Sequence, residues 1–270
     1  MTTLADLPTL LRAEKLDEAI EQMNASVRSN PTLIDLRARL AELLCIAGNL
    51  ERADTVLNAI TDIDSGAMVG VALFRQLVRA EQARQQFYRE GRLPEFVAKP
   101  DTLIELELRA AIARREGASG ELAALIAERD QARAPIPGAL DGEPFDDFRD
   151  LDDLSAAHFE VFTSTGKYFW IPVSRVESIE LRKIESLRDR LWRRAQLSVA
   201  DGPDGEVFLP AIYPAKEMSA AHRLGHVTDF EDVAERVSVG KGLRTFFAGE
   251  NSKTILEIGK IIFAGSAAHG

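Results

Sequence analysis

The 270-residue chain carries 33 Lys and Arg against 43 Asp and Glu, a net charge of −10, with 46% hydrophobic residues. Its length suits two packed units and its apolar share a real core, while no run approaches the ~18 apolar residues of a membrane-spanning helix. The single cysteine, Cys45, excludes an internal disulfide framework, and Met1 to Asp6 lack the basic start and apolar run of a secretory signal, so a reducing, cytoplasmic setting is expected.

The front of the chain reads as a helical array. Lys15-Leu16-Asp17-Glu18-Ala19 and Asn49-Leu50-Glu51-Arg52-Ala53 lie 34 residues apart, the period of tetratricopeptide hairpins. On that register Leu10 matches Leu44, Ala19 matches Ala53 and Met23 matches Leu57. Pro31 falls where such repeats end, because proline lacks the amide hydrogen a helix interior needs. Met68 to Arg92 reads as one long helix closed by Gly91 and Pro94. A third hairpin follows, with Ala111, Ala123 and Pro135 in the repeat places and Gly117–Gly120 as its turn. The signature aromatics of the repeat are absent, so the array is repeat-like. Stacked hairpins leave a groove that can take a peptide helix, and Leu40, Leu44, Phe74, Leu77 and Phe87 are its candidate lining residues.

Acidity concentrates after the array. Residues 136–160 hold eight acidic residues and one basic residue. Pro135-Ile136-Pro137-Gly138 breaks helix, and residues 136–157 read as a solvated acidic linker pinned to a neighbouring domain by Phe145 and Phe148. The carboxylates lack the spacing of a calcium loop. No concentrated basic stripe marks a nucleic-acid surface, and neither nucleic acid nor membrane is an expected partner.

From residue 158 the periodicity shifts towards two. His158–Phe162 and Lys167–Ile171 flank Thr165-Gly166 as a hairpin. Val176–Leu181 reads as a strand, Ser186–Trp192 as a short helical turn, and Gln196–Ala200 with Glu206–Pro210 as a hairpin around Asp201-Gly202-Pro203-Asp204-Gly205. Arg244–Ala248 and Ile255–Phe263 supply closing strands. The fold class is therefore α+β, with a repeat-like helical domain over 1–135, the linker over 136–157 and a mostly antiparallel α+β domain over 158–270.

The histidines and short motifs form no catalytic or metal-binding constellation. His222 and His226 are four apart, yet Gly225 interrupts their helix and no third ligand accompanies them; His158 and His269 stand apart from them. Gly240-Lys241-Gly242 misses the spacing of a phosphate loop, no nucleophile-elbow motif occurs, and Cys45 sits in a repeat helix as a buried thiol. No cofactor or metal is expected.

A set of short blocks remains. Tyr168, Trp170, Ile171 and Pro172 are followed by Arg188, Asp189 and Trp192, then by Asp201, Gly202, Phe208, Pro210 and Tyr213. Arg223, Gly225, Asp229, Gly242, Arg244 and Phe246 complete the order, and Gly91–Phe96 adds an earlier block. In this ordered set the sequence resembles the ImpE family, also called TagJ or SciE-type, accessory proteins of bacterial type VI secretion; Phe230 stands where the family usually has tryptophan. The resemblance spans nearly the whole chain. It implies a non-enzymatic adaptor that binds the N-terminal helix of the small contractile-sheath subunit, coupled to sheath assembly or indirectly to the AAA+ ATPase that dismantles the sheath. Two other readings stay open: an enzyme with a site around Arg188, Asp189, Asp201, Arg223 and Asp229, and a repeat co-chaperone gripping chain termini.

Overall fold

The computed structural model describes residues 7–264; the leader reading of Met1–Asp6 and His269 lie outside them. Seven helices come first: α1 Leu7–Arg12, α2 Leu16–Ser29, α3 Ile34–Ile46, α4 Leu50–Ile63, α5 Met68–Glu90, α6 Thr102–Glu116 and α7 Ser119–Ala132. The 34-residue offset is visible in the backbone. Lys15 N–H reaches Leu10 O at 2.9 Å, Asn49 N–H reaches Leu44 O at 2.8 Å, and Ala118 N–H reaches Ala113 O at 2.9 Å. Each closing turn contains one left-handed residue, Glu14 (φ 60°), Gly48 (φ 82°) and Gly117 (φ 74°). Glycine adopts that conformation freely, whereas Glu14 carries a Cβ penalty of about 1 kcal/mol. Ala19 and Ala53 are both buried where the hairpins cross. The long helix expected at 68–92 is α5, and Gly91 caps it with φ 83°.

Antiparallel strands build the rest. In chain order they are β1 Gly138–Leu140, β2 Glu143–Phe145, β3 Phe148–Asp150, β4 His158–Thr163, β5 Tyr168–Pro172, β6 Val176–Leu181, β7 Trp192–Val199, β8 Gly205–Pro210, β9 Thr228–Ala234, β10 Val237–Gly242, β11 Thr245–Ala248, β12 Asn251–Thr254 and β13 Lys260–Phe263. Two short helices, α8 Arg188–Leu191 and α9 Ala220–Arg223, interrupt them. An eight-stranded sheet runs β2-β1-β13-β6-β7-β8-β4-β5, a three-stranded sheet β12-β11-β3, and β9 pairs with β10. The alternation within β4 sorts its residues by layer. Phe159 and Val161 join the core between the two larger sheets, together with Phe148, Phe246 and Phe263. Phe162 turns the other way and shares a core with the helices, as do Tyr168, Trp170, Trp192 and Phe208. The two halves are thus packed through one continuous hydrophobic layer.

Three expectations are corrected. Residues 136–157 are no solvated linker: β1 and β2 extend the large sheet and β3 pairs with β11. Their carboxylates serve as local acceptors, Asp147 taking the N–H groups of Ile136 and Phe148 and Asp152 those of Leu154 and Gly240. Phe145 and Phe148 therefore sit inside the β core and do not reach an interdomain cleft. The single strand expected over Ile255–Phe263 is only Lys260–Phe263, because the Asp141 carboxylate captures the N–H groups of Gly259 and Lys260 at 2.9 and 2.7 Å and Glu257 holds Thr254 in a turn. Finally, Leu40, Leu44, Phe74, Leu77 and Phe87 are all 4% exposed or less, so the array offers no groove lined by them; α5 and the sheet fill that space.

Candidate functional site

Ionic groups are concentrated at the seam between α5 and β4. Glu160, flanked by Phe159 and Val161 in β4, is buried beneath α5, and five donors converge on it. Arg84 donates to its carboxylate from Nε at 2.9 Å and Nη2 at 2.8 Å, Tyr88 from 3.1 Å and Tyr168 from 2.5 Å, and Arg244 supplies a further bond. Trp170 Nε1 donates in turn to the Tyr168 hydroxyl at 2.6 Å. Arg244 continues to Asp150 at 2.6 Å, and Tyr213 closes the chain on the other Asp150 oxygen at 2.6 Å. Burial alone would raise the Glu160 pKa, but the Arg84 and Arg244 guanidiniums outweigh it and hold the carboxyl far below its usual range. Asp152 goes the other way. Burial, reinforced by the charge of Asp150, pushes it up to about 7.

A second buried cluster ties the third hairpin to the same strand. Glu107 of α6 accepts from Arg129 of α7 at 2.7 Å and from Ala157 N–H at 2.8 Å, and lies 2.5 Å from His158 Nδ1. The His158 ring stacks on Trp170 with centroids 3.7 Å apart. Removing a partner from either cluster would strand a charge in low dielectric, so these groups fix one relative placement of helices and sheet.

The family-motif residues divide between this seam and local supports. Tyr168, Trp170 and Tyr213 belong to the seam. Trp192 meets Phe74 edge-on at 6.1 Å and donates to Glu81 at 3.3 Å, and Phe208 packs in the same helix-facing core. Pro172 ends β5 opposite His158. Arg188 and Asp189 form no ion pair with each other: Arg188 lies over the Phe74 ring at 5.0 Å, and Asp189 accepts the N–H groups of Glu185 and Ser186 at 2.8 Å. Asp201 occupies the left-handed position of the β7–β8 turn (φ 52°). Gly225 (φ 67°) leaves only 3.3 Å between a notional Cβ and Ile212 or Leu243. Arg223 donates to Ala47 O at 3.0 Å, binding the β half to the end of α3. Asp229 bonds His222 Nε2 at 2.8 Å while Ser219 Oγ lies 2.7 Å from Nδ1. Those three residues have the composition of a hydrolytic triad, yet Ser219 is the N-cap of α9 in a reciprocal capping box and Asp229 is 69% exposed at its side chain, where water screens it. The residues proposed for an enzymatic site are therefore dispersed, and each has a positioning task. Cys45 is buried, and burial pushes its thiol up, away from the reactive thiolate.

Between the helical and β halves opens a cleft of about 710 Å³, walled by the ends of α3, α5 and α6 on one side and by residues 212–218 on the other. Arg89, Arg114, Arg115, Lys216 and Arg223 line it, together with Tyr88 and Trp192. Sequence reading missed this cleft because its cations are scattered over 135 residues and meet only in the fold.

Fold and seam together define a class of protein: a repeat-like helical array locked by buried ion pairs onto an antiparallel β unit. A model of the ImpE protein family matches residues 142–262. The type VI secretion system accessory component TagJ of Pseudomonas aeruginosa is 31% identical over 246 residues, which span 90% of this chain and 86% of that one. The crystal structure of protein VPA1032 from Vibrio parahaemolyticus superposes with a TM-score of 0.90 at 26% identity, covering 96% of this chain and 97% of its own. The chain belongs to the ImpE/TagJ family.

Proposed function

We propose that the chain is a non-enzymatic accessory component of a bacterial type VI secretion system, acting in the cytoplasm by binding the N-terminal helix of the small contractile-sheath subunit. The observation that carries this reading is the 31% identity to an accessory component of that system over nine-tenths of the chain. A rigid scaffold suits such a task, since a preorganised surface loses little entropy on binding. The helical array also exposes apolar side chains at one end: Leu33, Met68 and Val69 are 53%, 55% and 83% exposed, and Ile63 is partly so. Because α3 and α4 are antiparallel neighbours, the start of α3, the end of α4 and the start of α5 share that end. An amphipathic helix presenting residues at i, i+3, i+4 and i+7 would cover them. Coupling to the sheath-dismantling ATPase then follows indirectly, through the sheath subunit held there. None of the helices in the described residues is long and apolar enough to cross a membrane.

The test is co-purification of the tagged chain from cells that assemble the secretion system. The small sheath subunit should be recovered with it, and deleting that subunit's N-terminal helix should abolish recovery. Undiminished recovery after the deletion, or no sheath subunit at all, would overturn the proposal.

A further inference from the structure

The cleft between the two halves is cationic in a protein whose net charge is −10. Besides Arg84, which is paired with Glu160, five basic residues reach it, Arg89 from α5, Arg114 and Arg115 from α6, and Lys216 and Arg223 from the β half. Among the described residues none of the five has a carboxylate partner in an ion pair, whereas nine arginines elsewhere do. Glu81, the acidic residue in the lining, is already engaged by Arg84 at 3.5 Å, and burial raises its pKa. Arg114 Nη1 is buried without a hydrogen-bond acceptor.

A purely structural account exists and is too small. The C-terminal ends of α3, α5 and α6 face the cleft, and each presents roughly half a negative charge. Arg223 does bond Ala47 O at the end of α3, and Arg115 lies against Gly91 at the end of α5. Three helix ends offset about 1.5 charges of the five, leaving roughly three uncompensated. Arg89 and Arg223 also feel each other: burial, then the like charge of Arg89, lowers the Arg223 pKa against a smaller opposing pull from Asp17.

The size and lining restrict the occupant. A volume of about 710 Å³ lies within the ~300–1,000 Å³ of small-molecule sites. A ten-residue helix, ~15 Å long and ~10 Å across, would need roughly 1,200 Å³. A chain terminus brings a single carboxylate to a surplus of roughly three charges. Tyr88, Trp192, Leu122, Leu154 and Met218 add aromatic and apolar surface to the lining. We infer that this cleft binds a small organic polyanion, with two or more negative charges on the arginine-rich rim and an apolar or aromatic body against Tyr88 and Trp192. Organic phosphates and aromatic polycarboxylates share that chemistry.

The experiment uses the full chain and three probes at fixed ionic strength: ADP, pyrophosphate and benzene-1,3,5-tricarboxylate, each followed by calorimetric titration and melting temperature. At least one organic probe should bind saturably at or below millimolar concentration and raise the melting temperature. Arg89→Gln with Arg114→Gln should weaken it about 100-fold, since each charge-assisted bond is worth roughly tenfold or more. Arg89 is exposed and Arg114 has no partner to lose, so the double variant should melt like the wild type without probe. Binding of the sheath peptide should be unchanged in that variant, which separates this inference from the adaptor reading. No saturable binding of either organic probe, binding of pyrophosphate alone, or equal binding by the double variant would overturn the inference.

Discussion

Replacing Glu160 by Gln tests the ionic seam at its centre. Gln keeps the shape and one acceptor oxygen but turns an amide NH2 towards guanidinium donors, where five hydrogen bonds now converge. Removing one member of a buried pair costs about 3–5 kcal/mol. Arg84 would retain Glu81 and Ile212 O, and Arg244 would retain Asp150, so the lower end, about 3 kcal/mol, is expected. For a chain of this size that corresponds to a fall in Tm of roughly 6–12 °C. The loss should depend on pH. The Glu160 pKa is depressed in the folded state, so its contribution is present above the unfolded value near 4.5 and is lost as pH falls through the folded one. The gap between wild type and variant should therefore be widest above pH ~5 and narrow in acid. Denaturant melts of E160Q, Arg84→Met and their combination supply the cycle, and a coupling above about 2 kcal/mol is expected. A loss below about 1 kcal/mol, or no coupling, would refute the idea that the seam locks the halves together.

Other substitutions probe individual elements. Glu14→Gly should stabilise the chain by about 0.5–1 kcal/mol in a denaturant melt, because φ 60° is free of strain for glycine. Asp189→Ala should lower Tm by a few degrees, since it removes the acceptor of two backbone N–H groups before α8, a capping-type loss of about 1 kcal/mol. Asp152 has a folded pKa raised to about 7, so the chain loses stability as pH rises from the unfolded value near 4 through 7. Between pH 5 and 8 the wild type should lose about 2 kcal/mol relative to Asp152→Asn, and parallel pH–stability curves would contradict that assignment.

The helical array was legible because its information is local. A 34-residue offset, a glycine after α3, α5 and α6 and paired small residues all survive as one-dimensional signals, and the β4–β5 and β7–β8 hairpins likewise announce themselves through alternation and glycine-rich turns. The segment over 136–157 was misread because its acidic side chains mimic a solvated linker, whereas they spend their charge on neighbouring N–H groups and on Arg133, Arg149 and Arg244. The β9–β10 hairpin went unseen for a related reason: β9 shows mostly exposed, charged residues and reads as a loop. Glu107 and Arg129 stand at positions where helical periodicity calls for apolar side chains, whereas Glu160 falls on the polar phase of the β4 alternation. The helical mismatch was the available sign of a buried ionic seam, but the partners lie 22 to 76 residues apart and only the fold pairs them.

The adaptor claim is tested most directly by titrating a synthetic peptide of the small sheath subunit's N-terminal helix into the full chain. The account predicts saturable binding at micromolar or lower Kd, with little change between low and moderate salt because apolar contact dominates. It also predicts at least tenfold weakening when Met68 and Val69 are both replaced by Ser, since two exposed apolar anchors are then lost. No detectable binding of that peptide to the full chain would contradict the account.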